Sequence, residues 1–408
     1  MNILENISYI KNNEFICRVI DGFFGYASMS IMTILFTYVC TQIFDVDTFG
    51  EYSYLLTIIM MSSVFVKMGM DNSIIYFSPK VGVRYNTTTL IISSLVSLVV
   101  GLFFYVSSNE YFYYISLASL FLALKEIFFS IYRTEMLIRQ YYRVIFFFLG
   151  IGQFLFLGIF YFTQESSVFL LLNSLLASYL FLLLFLFFEN RDSFKKPHID
   201  IGFLRYSIPT IFISAIAMVM NKIDIVMIGN MLSNSDVAIY QVSNQVANFI
   251  GLFIGVFNIS FAPKIARLYS ENRIEELVSI YIKSTRILSL LCLFPVALLI
   301  LFSNEILGAF GDRYLEADFS FIIRVIGQYA IIIVGSVGFM LTMIGKVKGQ
   351  LYRVAFSAFV NVILNYLLIP IYGINGAAVA TLISITISSL LGYIFVKKEF
   401  NLTLFRFF

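Results

Sequence analysis

The sequence predicts an all-α polytopic membrane protein of about twelve transmembrane helices in two six-helix bundles related by a pseudo-two-fold axis along the membrane normal. Three observations carry this expectation: twelve long apolar runs, basic residues confined to alternate loops, and short motifs that recur at matched places in the two halves. With 60% hydrophobic residues, a soluble fold would leave a vast apolar surface wet.

The runs lie near 19–43, 52–77, 88–106, 112–132, 144–162, 167–188, 206–231, 237–262, 287–302, 319–344, 354–369 and 376–395. Most have the roughly 17 to 25 residues that a helix needs to cross the hydrocarbon layer. Backbone amides find no water there, so each crossing must be a helix or a strand of a closed barrel. Continuous apolar runs without strict alternation favour helices.

Basic residues in short loops stay on the cytoplasmic side. Lys11, Arg18, Lys80, Arg84, Arg133, Arg139, Arg143, Arg191, Lys195, Lys196 and Arg205 flank the chain start and the turns after spans 2, 4 and 6. Lys264, Arg267, Arg273, Lys283, Arg286, Lys346, Lys348, Arg353, Lys397, Lys398 and Arg406 follow spans 8, 10 and 12. Together these are 22 of the 27 basic residues, whereas the opposite loops hold Arg313 beside acids such as Asp45, Asp47, Glu110, Glu165, Asp312 and Asp318. Both termini are expected in the cytoplasm. Glu5 and Glu14 ahead of a long first span are unlike a cleaved signal, so span 1 is expected to be retained.

Several classes are set aside by what is present. The net charge of +3 reflects the loop bias and points to no nucleic-acid partner. Cys17, Cys40 and Cys292 lack the spacing of a disulfide or metal framework and read as packing residues. His198 falls in a basic loop and reads as solvated; Trp is absent, leaving Tyr for the interfacial belt. No Gly-rich phosphate loop, metal cluster or nucleophile elbow occurs, so neither an enzyme nor a cofactor is expected.

The halves share a plan. Phe77-Ser78-Pro79-Lys80 closes span 2 as Phe261-Ala262-Pro263-Lys264 closes span 8, and Gln140-Tyr141-Tyr142-Arg143 precedes span 5 as Gln350-Leu351-Tyr352-Arg353 precedes span 11. Six spans per half give both halves the same membrane direction, a transporter plan. The expected lobes are 1–190 and 206–408, joined by a cytoplasmic linker at 191–205.

Intramembrane charge is expensive, roughly 2.5 to 3.5 kcal/mol on insertion scales, so each instance demands a role. Lys67 and Asp71 stand i,i+4 in span 2; Lys125 and Glu126 in span 4; Asn221, Lys222 and Asp224 in span 7; Arg324 in span 10. Two readings stay open: ion pairs between helices with Arg324 snorkelling to headgroups, or cations from both halves lining a cleft for an anionic cargo. Gln241, Asn244, Gln245 and Asn248 form one helical stripe, and Ser357, Asn361 and Asn365 another. Such stripes either bond another helix or line a wet cavity, where amides suit a sugar's hydroxyls. Residues 263–286 read as an amphipathic cytoplasmic helix at the membrane surface or capping the lobe.

The pattern resembles the polysaccharide flippases, of the O-antigen or Wzx type, within the MATE-like multidrug, oligosaccharidyl-lipid and polysaccharide exporter superfamily. The resemblance rests on the paired six-span layout, Phe49-Gly50-Glu51-Tyr52, Ser207-Ile208-Pro209, Asp224 followed by Ile228-Gly229, and Asn365-Tyr366-Leu367-Leu368-Ile369-Pro370-Ile371-Tyr372-Gly373-Ile374-Asn375-Gly376-Ala377-Ala378. It implies movement of an undecaprenyl-diphosphate-linked oligosaccharide to the outer leaflet of a bacterial inner membrane, with membrane lipids and glycan polymerase or chain-length machinery as partners. Lys67, Lys125, Lys222 and Arg324 are the candidates for the diphosphate, and Asn221, Gln241, Asn244, Asn248, Asn361 and Asn365 for the sugar path. Asp71, Glu126 and Asp224 are the candidates for proton or sodium coupling. The alternative is a cation-coupled drug antiporter of the same superfamily, which would carry unpaired acids.

Overall fold

A computed structural model describes residues 14–81, 85–135, 137–162, 167–194, 197, 198 and 200–400 of the chain. The expected roles of Lys11, Arg84, Glu165, Lys195, Lys196 and Arg406, and of the side chains of Cys17, Arg18 and Lys80, lie outside the described residues. Among the described residues the ordered elements are all helical.

Seven helices come first: α1 (Glu14–Ile43), α2 (Val46–Val66), α3 (Met70–Val81), α4 (Asn86–Val106), α5 (Phe112–Thr134), α6 (Ile138–Tyr161) and α7 (Val168–Glu189). Eight follow: α8 (Ile201–Met231), α9 (Asn234–Ala247), α10 (Gly251–Ser270), α11 (Ile274–Leu301), α12 (Ser303–Phe310), α13 (Asp318–Val334), α14 (Val337–Met343) and α15 (Val347–Phe400). Among the described residues eleven segments are long and apolar enough to span a membrane. As one rod, the 54 residues of α15 would run about 80 Å, far beyond a hydrocarbon core of about 30 Å. Gly373, at φ 58° and ψ −139°, breaks α15 into two arms, so spans 11 and 12 are both present and the expected count of twelve is met. The arms meet tightly: a Cβ at Gly376 would stand 2.3 Å from the Leu368 carbonyl oxygen.

Three spans that read as single rods are broken. Span 2 stops at Val66 and restarts at Met70, with Met68 and Gly69 at φ 47° and 67°. The cause is a close crossing with α8, where a Cβ at Gly69 would fall 2.1 Å from Thr210 Oγ1 and 2.6 Å from the Ser207 carbonyl oxygen. There the Thr210 hydroxyl donates to the Gly69 carbonyl at 3.1 Å, and the Ser73 and Ser207 hydroxyls pair at 2.7 Å. Span 8 tightens into a 3₁₀ turn at Asn248–Ile250, and span 10 breaks at Gly335. An apolar run carries through such a break unmarked, which is why hydropathy alone reads each as continuous.

Contacts divide the chain into two compact units, one of Ile20–Lys222 and one of Met1–Val19 with Ile223–Phe408, the divisions falling inside α1 and α8. The first has a core of Met70, Phe128, Tyr141, Leu182 and Phe203 with their neighbours. The second includes a core of Ile265, Leu268, Leu277, Tyr281, Met340 and Val396. That second core corrects the expectation of one amphipathic helix over 263–286. The segment is the end of α10 and the start of α11, turning at Asn272 (φ 58°), and its apolar face is buried against α14 and the end of α15. Its charges stay outside, where Arg267 pairs with Glu271 at 2.6 Å and Arg273 pairs with Glu271 at 3.0 Å and with Glu276. The buried thiols of Cys40 and Cys292 pack as expected, and His198 is exposed.

Asp45 caps α2 by accepting the Thr48 N–H at 3.1 Å and the Thr48 hydroxyl at 2.6 Å, and these bonds hold its carboxyl below the usual carboxylate range. Asp45→Ala is expected to cost about 1 kcal/mol, read as a lower melting midpoint in detergent. A lowered carboxyl adds stability above its ordinary range and loses it as pH falls through the lowered value, so the wild-type advantage is expected to vanish in strong acid.

Candidate functional site

In the first unit, the break in span 2 places charge side by side. Lys67 is the residue after α2 and Asp71 sits in the first turn of α3, where the helix dipole favours a carboxylate. Their Nζ–Oδ2 distance is 2.7 Å, with side-chain exposures of 13% and 14%. On α5, Lys125 meets Glu126 at 2.9 Å with exposures of 22% and 39%. Lys125, Lys67 and Arg133 all act electrostatically on Glu126. The Tyr141 hydroxyl donates to the Lys125 carbonyl at 3.0 Å and fixes α6 against it. Asn221 is exposed and donates to the Ala217 carbonyl at 2.7 Å, while Lys222 is half-buried.

The second unit holds the larger constellation. Arg324 on α13 lies 3.8 Å from Asp224 on α8, with side-chain exposures of 6% and 3%. The Tyr240 hydroxyl donates to Asp224 Oδ2 at 2.7 Å, and the Ile225 amide donates to Oδ1 at 2.9 Å. Arg324 also donates to the Asn244 side-chain oxygen, which takes a second bond from Asn248 Nδ2 at 3.0 Å. Gln328 donates to Asn248 at 2.5 Å, prolonging the chain along α13. On α15, Asn365 donates to Asn361 at 3.1 Å and Asn361 to Thr381 at 3.4 Å.

The structure thus joins four of the sequence candidates, Asp224, Arg324, Asn244 and Asn248, in one network that is buried at Asp224, Arg324 and Asn244 and exposed at Asn248, and it pairs Asn361 with Asn365 on α15. It does not bring Gln241 into that network, because Gln241 turns to Gln245 at 3.5 Å. Tyr240 and Gln328 complete the first network, Thr381 extends the α15 pair, and all three escaped the sequence reading. Tyr240 and Gln328 had a signal: each lies four residues from a member on its own helix, Asn244 and Arg324 respectively. Arg324 does not snorkel; its guanidinium is turned inward. Among the described residues no group of three or more His, Cys, Asp and Glu could hold a metal.

Residues 209–367 match the MatE family model. CapF of Staphylococcus aureus, a capsular polysaccharide biosynthesis protein, is 23% identical over 368 residues, covering 86% of this chain and 91% of that protein. Agl15 of Haloferax volcanii, a probable low-salt glycan biosynthesis flippase, is 27% identical over 209 residues, covering 50% of this chain and 42% of that protein. Among solved structures, the lipid II flippase MurJ in an inward closed conformation superposes with a TM-score of 0.71 at 17% identity, covering 95% of this chain and 89% of that one. An outward-facing multidrug resistance MATE transporter superposes at 0.66 with 13% identity and 95% coverage of each chain. The fold is that of the MATE-like transporters. The resemblance to the multidrug, oligosaccharidyl-lipid and polysaccharide exporter superfamily is borne out, and the matches indicate a transporter rather than an enzyme.

Proposed function

We propose that this chain flips an undecaprenyl-diphosphate-linked oligosaccharide, an O-antigen or other polysaccharide repeat unit, from the inner to the outer leaflet of a bacterial inner membrane by alternating access. Both termini are cytoplasmic in this reading, and glycan polymerase or chain-length machinery are its partners. The observation that carries it is the pairing of intramembrane acids: Asp71, Glu126 and Asp224 stand 2.7, 2.9 and 3.8 Å from Lys67, Lys125 and Arg324. An exporter of cationic drugs needs a carboxylate free to meet its cargo, and these three are already neutralised. Relatives named for glycan and capsular polysaccharide biosynthesis support the same substrate class.

A diphosphate carries more charge than a carboxylate and competes with Asp71 and Glu126 for the partly exposed ammoniums of Lys67 and Lys125. These two, with Lys222, form the proposed headgroup contact, with Asn221 in the same unit and Gln241 and Asn248 in the second unit as proposed sugar contacts. The buried Arg324, Asn244, Asn361 and Asn365 are assigned to holding the second unit together.

The test is complementation of a strain that lacks its own polysaccharide flippase, reading surface glycan and accumulated lipid-linked precursor. Restored glycan supports the reading; no restoration together with raised drug tolerance sinks it in favour of a drug antiporter. Lys67→Ala and Lys125→Ala are each expected to lower export about tenfold at normal membrane abundance, the worth of one charge-assisted hydrogen bond of about 1.5 kcal/mol.

A further inference from the structure

We infer that Arg324 is a tethered cation occupying the seat at Asp224, so that this carboxylate exchanges no alkali cation with the surrounding water. An exchangeable site for a hard cation needs several oxygen ligands turned toward one point and a way in. Asp224 is 2% exposed, and both its oxygens are taken: Oδ1 by the Ile225 amide at 2.9 Å, Oδ2 by the Tyr240 hydroxyl at 2.7 Å with Arg324 Nη1 at 3.8 Å.

The neighbouring oxygens are likewise committed to donors. Asn244 Oδ1 accepts Arg324 and Asn248, Asn361 Oδ1 accepts Asn365, and Thr381 Oγ1 accepts Asn361. Asn365 Oδ1 is the buried side-chain oxygen in this group without a hydrogen bond, too few for a coordination shell. Arg324 Nε, buried and without a partner, adds a donor where a cation would need acceptors.

The same contacts say what removal of the guanidinium would do. The Asp224 carboxylate would then be an uncompensated negative charge beside the Tyr240 hydroxyl and the Asn244 side-chain oxygen that Arg324 vacates, oxygen ligands of the kind a sodium ion takes. A latent cation site would open in place of the internal one. The inference concerns the ion and stands apart from the identity of the cargo.

The experiment is a melting series on the purified full-length protein in detergent, comparing sodium chloride with choline chloride at equal ionic strength. Wild type is expected to melt at the same midpoint in both salts. Arg324→Gln is expected to melt higher in sodium than in choline, and the Asp224→Asn/Arg324→Gln double variant to lose that sodium shift. A sodium-specific rise in wild type that the double variant abolishes would overturn the inference. So would a folded Arg324→Gln protein indifferent to sodium. If that single variant fails to fold, the wild-type and double-variant comparison decides alone.

Discussion

Asp224→Ala is expected to destabilise the protein by about 3 to 5 kcal/mol, the cost of leaving one member of a buried ion pair without its partner. The side chain removed is nearly inaccessible, and so is the guanidinium left behind at 6% exposure. A guanidinium cannot shed its proton, so Arg324 would remain charged in an apolar interior with only Asn244 to bond. Tyr240 would lose its acceptor in the same step and become a second unsatisfied group. Arg324→Met is expected to cost less, because a buried carboxyl can take up a proton and become neutral. The double change Asp224→Asn/Arg324→Met is expected to be milder than Asp224→Ala alone, as replacing a whole buried pair often is. Melting midpoints or retained monodisperse protein after heating would rank the three. An order in which Asp224→Ala is the mildest would show that the pair contributes nothing to holding α8, α9 and α13 together.

How much of this was legible in the sequence follows from the range of the interactions. The twelve crossings were, because burial in lipid demands long uninterrupted apolar runs and nothing else in the chain has them. The Lys67–Asp71 pair was, because i,i+4 spacing alone puts both groups on one helix face. The Arg324–Asp224 pair was not: each residue stood out as costly, yet they are joined only after three helices pack, and no local spacing marks that. Reading them apart assigned one to the cargo and the other to ion coupling, whereas together they neutralise each other. The asparagine stripes of α9 and α15 were recognised as polar helix faces, but whether the α9 stripe bonds a helix or lines a wet path depended on Arg324 and Gln328, which lie on another helix. The breaks at Gly69 and Gly335 were invisible for the same reason, since each is fixed by a neighbouring helix rather than by the run it interrupts.

Gly335→Ala tests that last point, with an expected cost of about 2 to 4 kcal/mol from backbone strain and overpacking together. Gly335 sits at φ 80° and ψ −174°, a region that residues with a Cβ rarely enter. Its added carbon would also lie 2.4 Å from Thr285 Oγ1, 3.0 Å from Thr285 Cγ2 and 3.0 Å from the Tyr281 hydroxyl. Those neighbours have little freedom to retreat. The Tyr281 hydroxyl donates to the Val334 carbonyl at 2.7 Å, and about two turns along α11 the Ser289 hydroxyl donates to the Ile332 carbonyl at 3.3 Å, bonding carbonyls at the end of α13. Pushing α11 away would therefore remove bonds as well as packing. Adding Thr285→Ala to Gly335→Ala removes the closest contacts but leaves the dihedral penalty untouched. The double variant is expected to recover roughly half of the loss, the overpacking part of about 1 to 2 kcal/mol. Full recovery would mean that the backbone at 335 relaxes freely and that span 10 is held broken by crowding alone. A single variant as stable as wild type would mean that α13 and α14 can join into one rod without harm.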